Sequence, residues 1–313
     1  MKLGVLTNGD LERMFGLTVR QTERIIKESS PFEIGVVVSL EGALIDMSKP
    51  VGYAWAALSG EIGQRTPDPV AVREATGLTF RETLVALGYS TVAPNVVPKA
   101  EARFNEILEQ FIKSDMFPMQ VRPGAAQALE RLLKEDKVKL CVTTGLSRGA
   151  AIAAMSKTGV SNVLEGRLGI SRLMHPDSAQ WADRLEGQQY LRACAELRVC
   201  PLVCVNIDSS AKKLLQAKRV GLCTVGVREG CTAPVLLRHS DRLIDSMVAL
   251  APKLLFDTVR RHVEQSSGQQ LQADAVPSRV PPSTTKLLAP AMGDPRARPS
   301  KDTFADEFKS DII

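Results

Sequence analysis

The chain has 313 residues, of which 44% are apolar and 4% are aromatic. Such a chain can bury the core of one large or two modest domains, and its aliphatic character favours an α/β protein. The net charge of +5 is spread along the sequence, which argues against a nucleic-acid-binding arm. No apolar run approaches the ~20 residues of a membrane-spanning helix.

The six cysteines include no CxxC pair, and Cys141, Cys204 and Cys223 lie in or beside apolar runs. We interpret them as small core residues of an intracellular protein in a reducing compartment. The three histidines stand at no metal-ligand spacing from one another or from a cysteine, which argues against a zinc site. The N-terminus has no signal-peptide core but carries several arginines, so both the mitochondrion and the cytoplasm are retained as locations.

The first predicted elements are a helical extension and a buried strand. In residues 1–32, Asp10 can cap a helix with a loosely periodic apolar face, which either packs on its own domain or binds a partner. The mostly aliphatic run 34–40 then predicts a buried parallel strand, followed by a turn that begins at Glu41. Residues 50–120 have the apolar periodicity of several helices.

Strands and helices alternate from residue 121 onward. The predicted strands are 139–143, 202–207 and 222–227, and the predicted helices are 148–157, 190–197 and 211–220. This alternation predicts an α/β protein with a doubly wound parallel sheet, in which ligands bind at the carboxyl ends of the strands.

The composition changes to Gln, Ser, Pro and Ala beyond residue 264, which predicts an extended or disordered tail. Near its end, Phe304, Phe308 and Ile312 recur every fourth residue and would form one stripe of a short helix. The stripe is either a chance pattern or a docking peptide that binds another protein.

Several short motifs follow one another in order along the chain. They are Ser39-Leu40-Glu41-Gly42 after the first strand, Pro123-Gly124 before a Leu-rich helix, Thr143-Thr144-Gly145 after the second strand, Asp208-Ser209-Ser210 after the third, and finally Val225-Gly226-Val227 and Asp241. This ordered set resembles the motifs of the haloacid dehalogenase-like (HAD) superfamily, in the phosphatase and phosphoglucomutase-like branch with a small helical cap. The resemblance runs from Gly35 to Leu250.

The resemblance implies an extension, a core, an inserted cap and a tail. The extension comprises residues 1–32, and the Rossmann-like α/β core comprises residues 33–48 and 121–252. Residues 49–120 would form the helical cap, which the family inserts after the first strand. Residues 253–313 would form the end of a helix and an extended, Pro-rich tail.

The resemblance also implies what the motif residues would do. In active relatives the first aspartate attacks phosphorus and forms an aspartyl-phosphate, and Ser39 stands at that position without a negative charge. Glu41 replaces the aspartate that acts as general acid and base, and its extra methylene displaces the carboxyl by roughly an ångström. Thr143 matches the hydroxyl residue of the second motif.

The metal-binding and lysine positions are altered as well. Relatives bind Mg²⁺ through the nucleophile and through acidic residues of the fourth motif, of which Asp208 is present, while Lys212 stands where a second acid is often found. Arg184 aligns with the third-motif lysine, but a shift of two residues would place Glu186 there. Lys212 would either pair with Asp208 one helical turn earlier or help to bind an anion in the former catalytic pocket.

We therefore expect a catalytically inactive HAD-like pseudophosphatase that needs no cofactor. Its N-terminal helix and its C-terminal tail, with the stripe of Phe304, Phe308 and Ile312, would bind other protein subunits of a larger assembly. The alternative is a weak or atypical Mg²⁺-dependent phosphatase that acts on a small phosphorylated metabolite through Glu41 or Ser39.

Overall fold

Six strands form one parallel sheet in the part of the chain that the structure describes. The computed structural model describes residues 19–28, 32–89, 92–114, 117, 119–164, 173–175, 187–230 and 234–275. The strands are β1 Ile34–Ser39, β2 Val138–Thr143, β3 Leu173–Met174, β4 Cys204–Asp208, β5 Cys223–Val227 and β6 Arg242–Ile244. Their order is β3-β2-β1-β4-β5-β6, and all neighbours are parallel, which confirms the predicted α/β sheet. Sequence reasoning missed β3 and β6, which have only two and three residues.

The strand order changes direction beside β1, the first strand of the chain. All six residues of β1 are buried, and it pairs with β2 on one side and with β4 on the other. The register places Ser39 beside Thr143, so the last residues of β1 and β2 lie together. In doubly wound sheets the ligand crevice forms at the carboxyl ends of the strands where the order reverses. The fold thus brings the first and second motifs to that crevice.

We call the first four helices after β1 the cap. The other described helices follow or precede the strands of the core. Between β1 and β2 the chain forms the cap helices α2 Ser48–Glu61, α3 Pro69–Ala75, α4 Phe80–Ala86 and α5 Val97–Lys113. The other helices are α1 Val19–Glu28, α6 Ala125–Leu133, α7 Arg148–Thr158, α8 Val160–Leu164, α9 Gln188–Leu197, α10 Ala211–Arg219 and α11 Pro252–Ala275.

The cap has an aromatic core of its own. Trp55 stacks on Phe80 with ring centroids 5.0 Å apart and lies 4.7 Å from the ring of Phe104. Tyr89 borders the same cluster, and all four rings are buried. Aromatic pairs of this kind contribute about 0.5–1.5 kcal/mol beyond the burial of their area, so the cluster joins α2, α4 and α5 firmly.

The helix α1 packs on the chain's own domain. Thr22 and Ile26 are buried, and the helix contacts the segment Pro201–Val203. Its exposed positions include Arg24 and Glu28, which form an exposed ion pair. Of the two alternatives for the N-terminal helix, packing on its own domain is therefore the one seen for residues 19–28.

The last described helix, α11, is longer than the composition predicted. Leu255, Val259 and Val263 are buried along it, and Phe256 packs edge-on against Phe32 with centroids 5.6 Å apart. The helix continues to Ala275, so the expectation of an extended tail beyond residue 264 is wrong for residues 265–275. Neither α11 nor any other helix in the described residues has the length and apolar character that crossing a membrane requires.

Asp241, which immediately precedes β6, joins several elements near the amino ends of the strands. Its Oδ2 accepts hydrogen bonds of 2.8 Å from both N and Oγ1 of Thr224, and its Oδ1 accepts one of 2.8 Å from Lys218 Nζ. With Cys223 and His262 it forms a group whose potential ligand atoms lie within 4.8 Å of one another. The spacing of histidines and cysteines in the sequence argued against a zinc site. Because Lys218 and Thr224 already occupy both oxygens of Asp241, we assign the group a structural role.

We expect Asp241→Asn to lower the free energy of unfolding by about 2 kcal/mol, because hydrogen bonds to a carboxylate are lost. Burial alone would raise the pKa of Asp241, but its interactions with His262, Lys218 and Thr224 hold that pKa below its usual range. Its contribution is therefore present above the unfolded-state pKa of ~4 and is lost as the pH falls. Urea denaturation at neutral and acidic pH measures both effects.

Asp245→Asn is the matched control for this prediction. The Asp245 side chain is 86% exposed and pairs with Arg228 at the surface, so its removal should change stability by less than ~0.5 kcal/mol. Equal losses of stability in the two variants would show that Asp241 has no special structural role.

Candidate functional site

The residues of three motifs meet at the carboxyl ends of β1, β2 and β4. Ser39 ends β1, Thr143 ends β2, Asp208 ends β4, and Glu41 follows shortly after Ser39. Each of these residues is between 0% and 2% exposed. Ionisable side chains are almost never buried to this degree without a partner. The fold therefore brings four predicted site residues together in a buried polar group, which we call the motif cluster.

The Ser39 hydroxyl is used within its own loop. Its Oγ donates a hydrogen bond of 2.9 Å to the backbone carbonyl of Glu41. A carbonyl oxygen accepts a hydrogen bond but does not remove the proton, so this contact does not activate Ser39 as a nucleophile. The hydroxyl thus stabilises the turn after β1.

The Glu41 carboxylate is turned toward the loop that follows β2. Its Oε1 accepts hydrogen bonds from Thr144 Oγ1 and from Gly145 N, the latter at 3.0 Å. Its Oε2 is buried and has no hydrogen-bond partner among the described residues. A general acid needs an oxygen that can reach the leaving group. In this arrangement Glu41 instead ties together the loops that follow β1 and β2.

The cation beside Asp208 is Lys213 and not Lys212. Lys213 is 2% exposed and lies near the start of α10, whereas its neighbour Lys212 is exposed. Burial raises the pKa of Asp208 to about 6, and the positive charge of Lys213 is the strongest influence that lowers it. The predicted pairing of Lys212 with Asp208 is therefore wrong, because the phase of the helix directs Lys213 inward and Lys212 outward.

The cap lies directly over the motif cluster. A Cβ placed on Gly145, in the loop after β2, would overlap the backbone carbonyl oxygens of Gly77 and Leu78. Gly77 itself has a φ of +86°, and a Cβ added there would lie 3.3 Å from Lys213 Nζ. Glycine is required at these two positions, by close approach at Gly145 and by the left-handed backbone at Gly77. Even a methyl group does not fit between the cap and this loop.

A second contact fastens the cap to α10. Gln216 Nε2 donates a hydrogen bond of 2.8 Å to Glu82 Oε1, and Glu82 also forms the capping box of α4 with Thr79. Gln216 is 2% exposed and follows Lys213 by three positions on the same helix. Residues three apart share one face of a helix, so Lys213 and Gln216 both project toward the cap. The helix α10 thus holds the cap closed with two polar side chains.

Open cavities lie outside the motif cluster. One of about 260 Å³ lies between cap and core, and another of about 690 Å³ adjoins it along the cap. The residues that line both cavities are Asp46, Ser48, Arg73, Arg122 and Gly230. Ser39, Glu41 and Asp208 are absent from the described lining of both, whereas Lys212 lines the smaller one. An anion bound by Lys212 would occupy this outer cavity and would not reach the motif cluster.

The motif cluster does not suit the magnesium ion that this type of fold implies. Mg²⁺ demands near-octahedral oxygen ligands and is bound by one or two carboxylates together with waters. Here the Ser39 hydroxyl already donates to a carbonyl, one oxygen of Glu41 is held by the next loop, and the ammonium of Lys213 is buried nearby. A positive charge in the same buried space opposes the binding of a cation. The residues present therefore do not fit Mg²⁺.

Several predicted features fall outside the described residues. They are Asp10 with the part of the N-terminal extension before residue 19, Arg184 with its alternative Glu186, and the stripe of Phe304, Phe308 and Ile312. All of them remain predictions from the sequence. The positive charge that the structure places in the motif cluster comes from Lys213, on the helix after β4.

Sequence reasoning missed Lys213 and Gln216, although α10 contains a signal for both. They lie on the side of the helix that also carries the buried Leu214 and Ala217. A helical projection of residues 211–219 groups these four side chains on one face. The motif alignment pointed instead to position 212, because it considers spacing from Asp208 and not the phase of the helix.

We expect the protein to lose stability as the pH rises through the titration of Asp208. Since its folded-state pKa is raised to about 6, the folded protein binds this proton more tightly than the unfolded chain, whose pKa is ~4. The stabilisation by the proton is full below ~4 and is lost as the pH rises through about 6. The free energy of unfolding should fall by about 3 kcal/mol over this window, as measured by chemical denaturation.

Asp208→Asn should remove most of this pH dependence. Among the residues that the structure describes, the other charged or titratable groups that face Asp208 are Lys213, Glu41 and Tyr190. Glu41→Gln is the matched control, because it removes a carboxyl group from the same cluster and leaves Asp208 in place. An unchanged pH profile in Asp208→Asn would assign the effect to another group.

Comparisons with solved structures agree with this architecture, whereas no family model and no curated protein sequence matches the chain. A HAD hydrolase of family IA from Entamoeba histolytica has a TM-score of 0.59 at 16% identity, covering 72% of this chain and 99% of that one. β-Phosphoglucomutase from Clostridium difficile has a TM-score of 0.59 at 15% identity, with 74% and 100% covered. A phosphonoacetaldehyde hydrolase-like protein from Oleispira antarctica has a TM-score of 0.59 at 18% identity, with 75% and 95% covered. At identities this low, the structural similarity concerns the fold alone. It confirms that the chain has the fold of haloacid dehalogenase-like hydrolases.

Proposed function

We propose that this protein is a catalytically inactive HAD-like pseudophosphatase that acts as a structural or interaction subunit of a larger protein assembly. The observation that carries the proposal is the closed motif cluster. Ser39, Glu41 and Asp208 are at most 1% exposed, and the cap backbone lies against the loop after β2. A phosphate ester in the outer cavity therefore does not contact the residues that would have to react with it.

Three requirements of phosphoryl transfer are unmet in this arrangement. No carboxylate stands at the nucleophile position, the donor set does not suit Mg²⁺, and the Glu41 carboxylate is bound to the neighbouring loop. Removal of the nucleophile alone typically reduces turnover by ~10⁴-fold or more. The three changes act on one reaction and together support loss of catalysis.

The outer surface of the cap supports a role in binding another protein. Tyr53 is 55% exposed and borders the cavity of about 690 Å³ together with Pro67 and Pro69. Lys49 and Arg73 lie at the same cavity. Exposed aromatic side chains with a polar rim are typical of protein-binding surfaces.

The C-terminal tail is the second element that supports this role. Its composition is unsuited to a packed core, and its only large apolar stripe is formed by Phe304, Phe308 and Ile312. Within the N-terminal extension, the buried side of α1 contacts its own domain, so residues 19–28 offer a partner only their exposed side. We therefore assign partner binding chiefly to the cap surface and the tail.

We expect no phosphatase turnover above background with p-nitrophenyl phosphate and Mg²⁺, because the motif cluster is sealed and lacks a nucleophile. Glu41→Ala should be indistinguishable from the unaltered protein in the same steady-state assay. Ser39→Asp should also remain inactive, since Lys213 and the closed cap are retained. Turnover that Glu41→Ala abolishes would establish the Mg²⁺-dependent phosphatase and would sink the proposal.

We expect the full-length protein from its native cells to elute in size-exclusion chromatography with an assembly larger than the single chain. Deletion of residues 276–313 should shift most of the protein to the elution volume of the free chain, because the docking stripe is lost. The deletion begins after the last residue of α11, so the helix and its buried contacts are preserved. Elution of the full-length chain as a monomer in native extracts would argue against a role as a subunit.

A further inference from the structure

Two carboxyl groups share the buried space at the ends of β1 and β4. Asp208 Oδ1 accepts a hydrogen bond of 2.9 Å from Ser210 N, and Glu41 Oε1 is bound by Thr144 and Gly145. The second oxygen of each carboxyl is buried. Glu41 Oε2 has no hydrogen-bond partner within the described part of the chain, and the Ser39 hydroxyl lies close enough to Asp208 to stabilise its carboxylate. A buried carboxylate without a compensating charge is strongly destabilising. The cluster therefore needs a positive charge close to both groups.

Lys213 is placed to supply that charge. It is 2% exposed, and among the influences on Asp208 its charge is the strongest that favours the carboxylate. A Cβ added to Gly77 would lie 3.3 Å from Lys213 Nζ and 3.7 Å from Glu41 Cβ, so the ammonium is also near the cap loop and near Glu41. A single buried side chain thus lies beside the cap backbone and Glu41, and its charge acts on Asp208.

We propose that Lys213 takes the place of a metal ion in this site, as a permanent counter-ion of Asp208 and Glu41 that also holds the cap loop against them. The inference rests on the proposed loss of catalysis at the motif cluster. A metal ion exchanges with solvent, whereas a side chain does not, so one positive charge stays beside the two carboxyl groups at any concentration of divalent cation. Lys213 follows β4 in the chain, whereas the family's lysine aligns near Arg184, before α9, so its position is a feature of this chain.

The charge of Lys213 also explains why the cap is closed. A buried ammonium is as costly as a buried carboxylate, so Lys213 is stable only while Asp208 and Glu41 face it and water is excluded evenly from all three. Opening the cap at Gly77 would expose the ammonium on one side and weaken its attraction to the carboxyls, because water screens the charges. The closed cap and the internal counter-ion therefore stabilise each other.

Thermal unfolding of the full-length chain with and without about 10 mM MgCl₂ tests the proposal. We expect the Tm of the unaltered protein to be independent of Mg²⁺. Lys213→Ala removes the counter-ion and leaves space for a hydrated cation, so its Tm should fall by about 10 °C and recover in part with Mg²⁺. Lys213→Met removes the charge but fills the space, so its Tm should fall without recovering.

Lys212→Ala is the matched control, since it removes the same charge from the adjacent exposed position, and its Tm should change by less than about 1 °C. Should Lys213→Ala fail to fold, the combination of Lys213→Met with Asp208→Asn keeps the test decisive. Removing both charges should return the Tm toward that of the unaltered protein, because Asp208, whose ionised form is favoured most strongly by Lys213, is then no longer a carboxyl.

A rise of the Tm of the unaltered protein with Mg²⁺ would overturn the proposal, because it would reveal a working metal site. A Lys213→Ala protein as stable as Lys212→Ala would overturn it as well, as would a double variant less stable than Lys213→Met. Phosphatase turnover is measured in a separate assay on the unaltered protein. Activity there would refute the proposed function, whereas the Mg²⁺ response of the Tm decides the role of Lys213.

Discussion

The burial of two carboxyl groups at the ends of parallel strands is the constraint on which the rest of the site depends. Asp208 and Glu41 are each 1% exposed, where water cannot stabilise their charge. Their surroundings must therefore do so, through the backbone amides of Ser210 and Gly145 and through the ammonium of Lys213. The tight loop after β1, the glycine after β2 and the position of the cap all follow from keeping these groups together and dry.

The same constraint underlies the proposed loss of catalysis. A catalytic crevice has to admit substrate, whereas here the cap backbone at Gly77 and Leu78 lies against Gly145. The fold is that of haloacid dehalogenase-like hydrolases, and the proposal concerns the chemistry of the site alone. Similarity of fold at identities of 15–18% is compatible with either outcome, because function depends on the site.

The sequence predicted the elements that are defined by long aliphatic runs and missed those that are defined by tertiary contacts. Strands β1, β2, β4 and β5 are buried and nearly continuous in apolar residues, so their pattern is unambiguous. β3 and β6 are too short to produce a pattern and form only by pairing with a neighbour. The polar end of α11 resembles a tail in composition, yet it continues a helix that Leu255, Val259 and Val263 anchor to the core.

The candidate site was predictable in its strand-end residues and not in its electrostatics. Ser39, Thr143 and Asp208 end strands and Glu41 lies two residues beyond β1, so parallel topology alone places them together. The inward lysine depends on the rotation of α10, which places Lys213 toward the cluster and its neighbour toward solvent. Motif spacing carries no information about that rotation.

The placement of Lys213 has a consequence for the evolutionary history of such a site. Introducing an aspartate at Ser39 would add a further buried acid to a space with one ammonium, and replacing Lys213 first would leave two acids uncompensated. Under the proposed function, either first step towards catalysis therefore passes through a less stable intermediate. In that case Lys213 makes the loss of activity easier to acquire than to reverse.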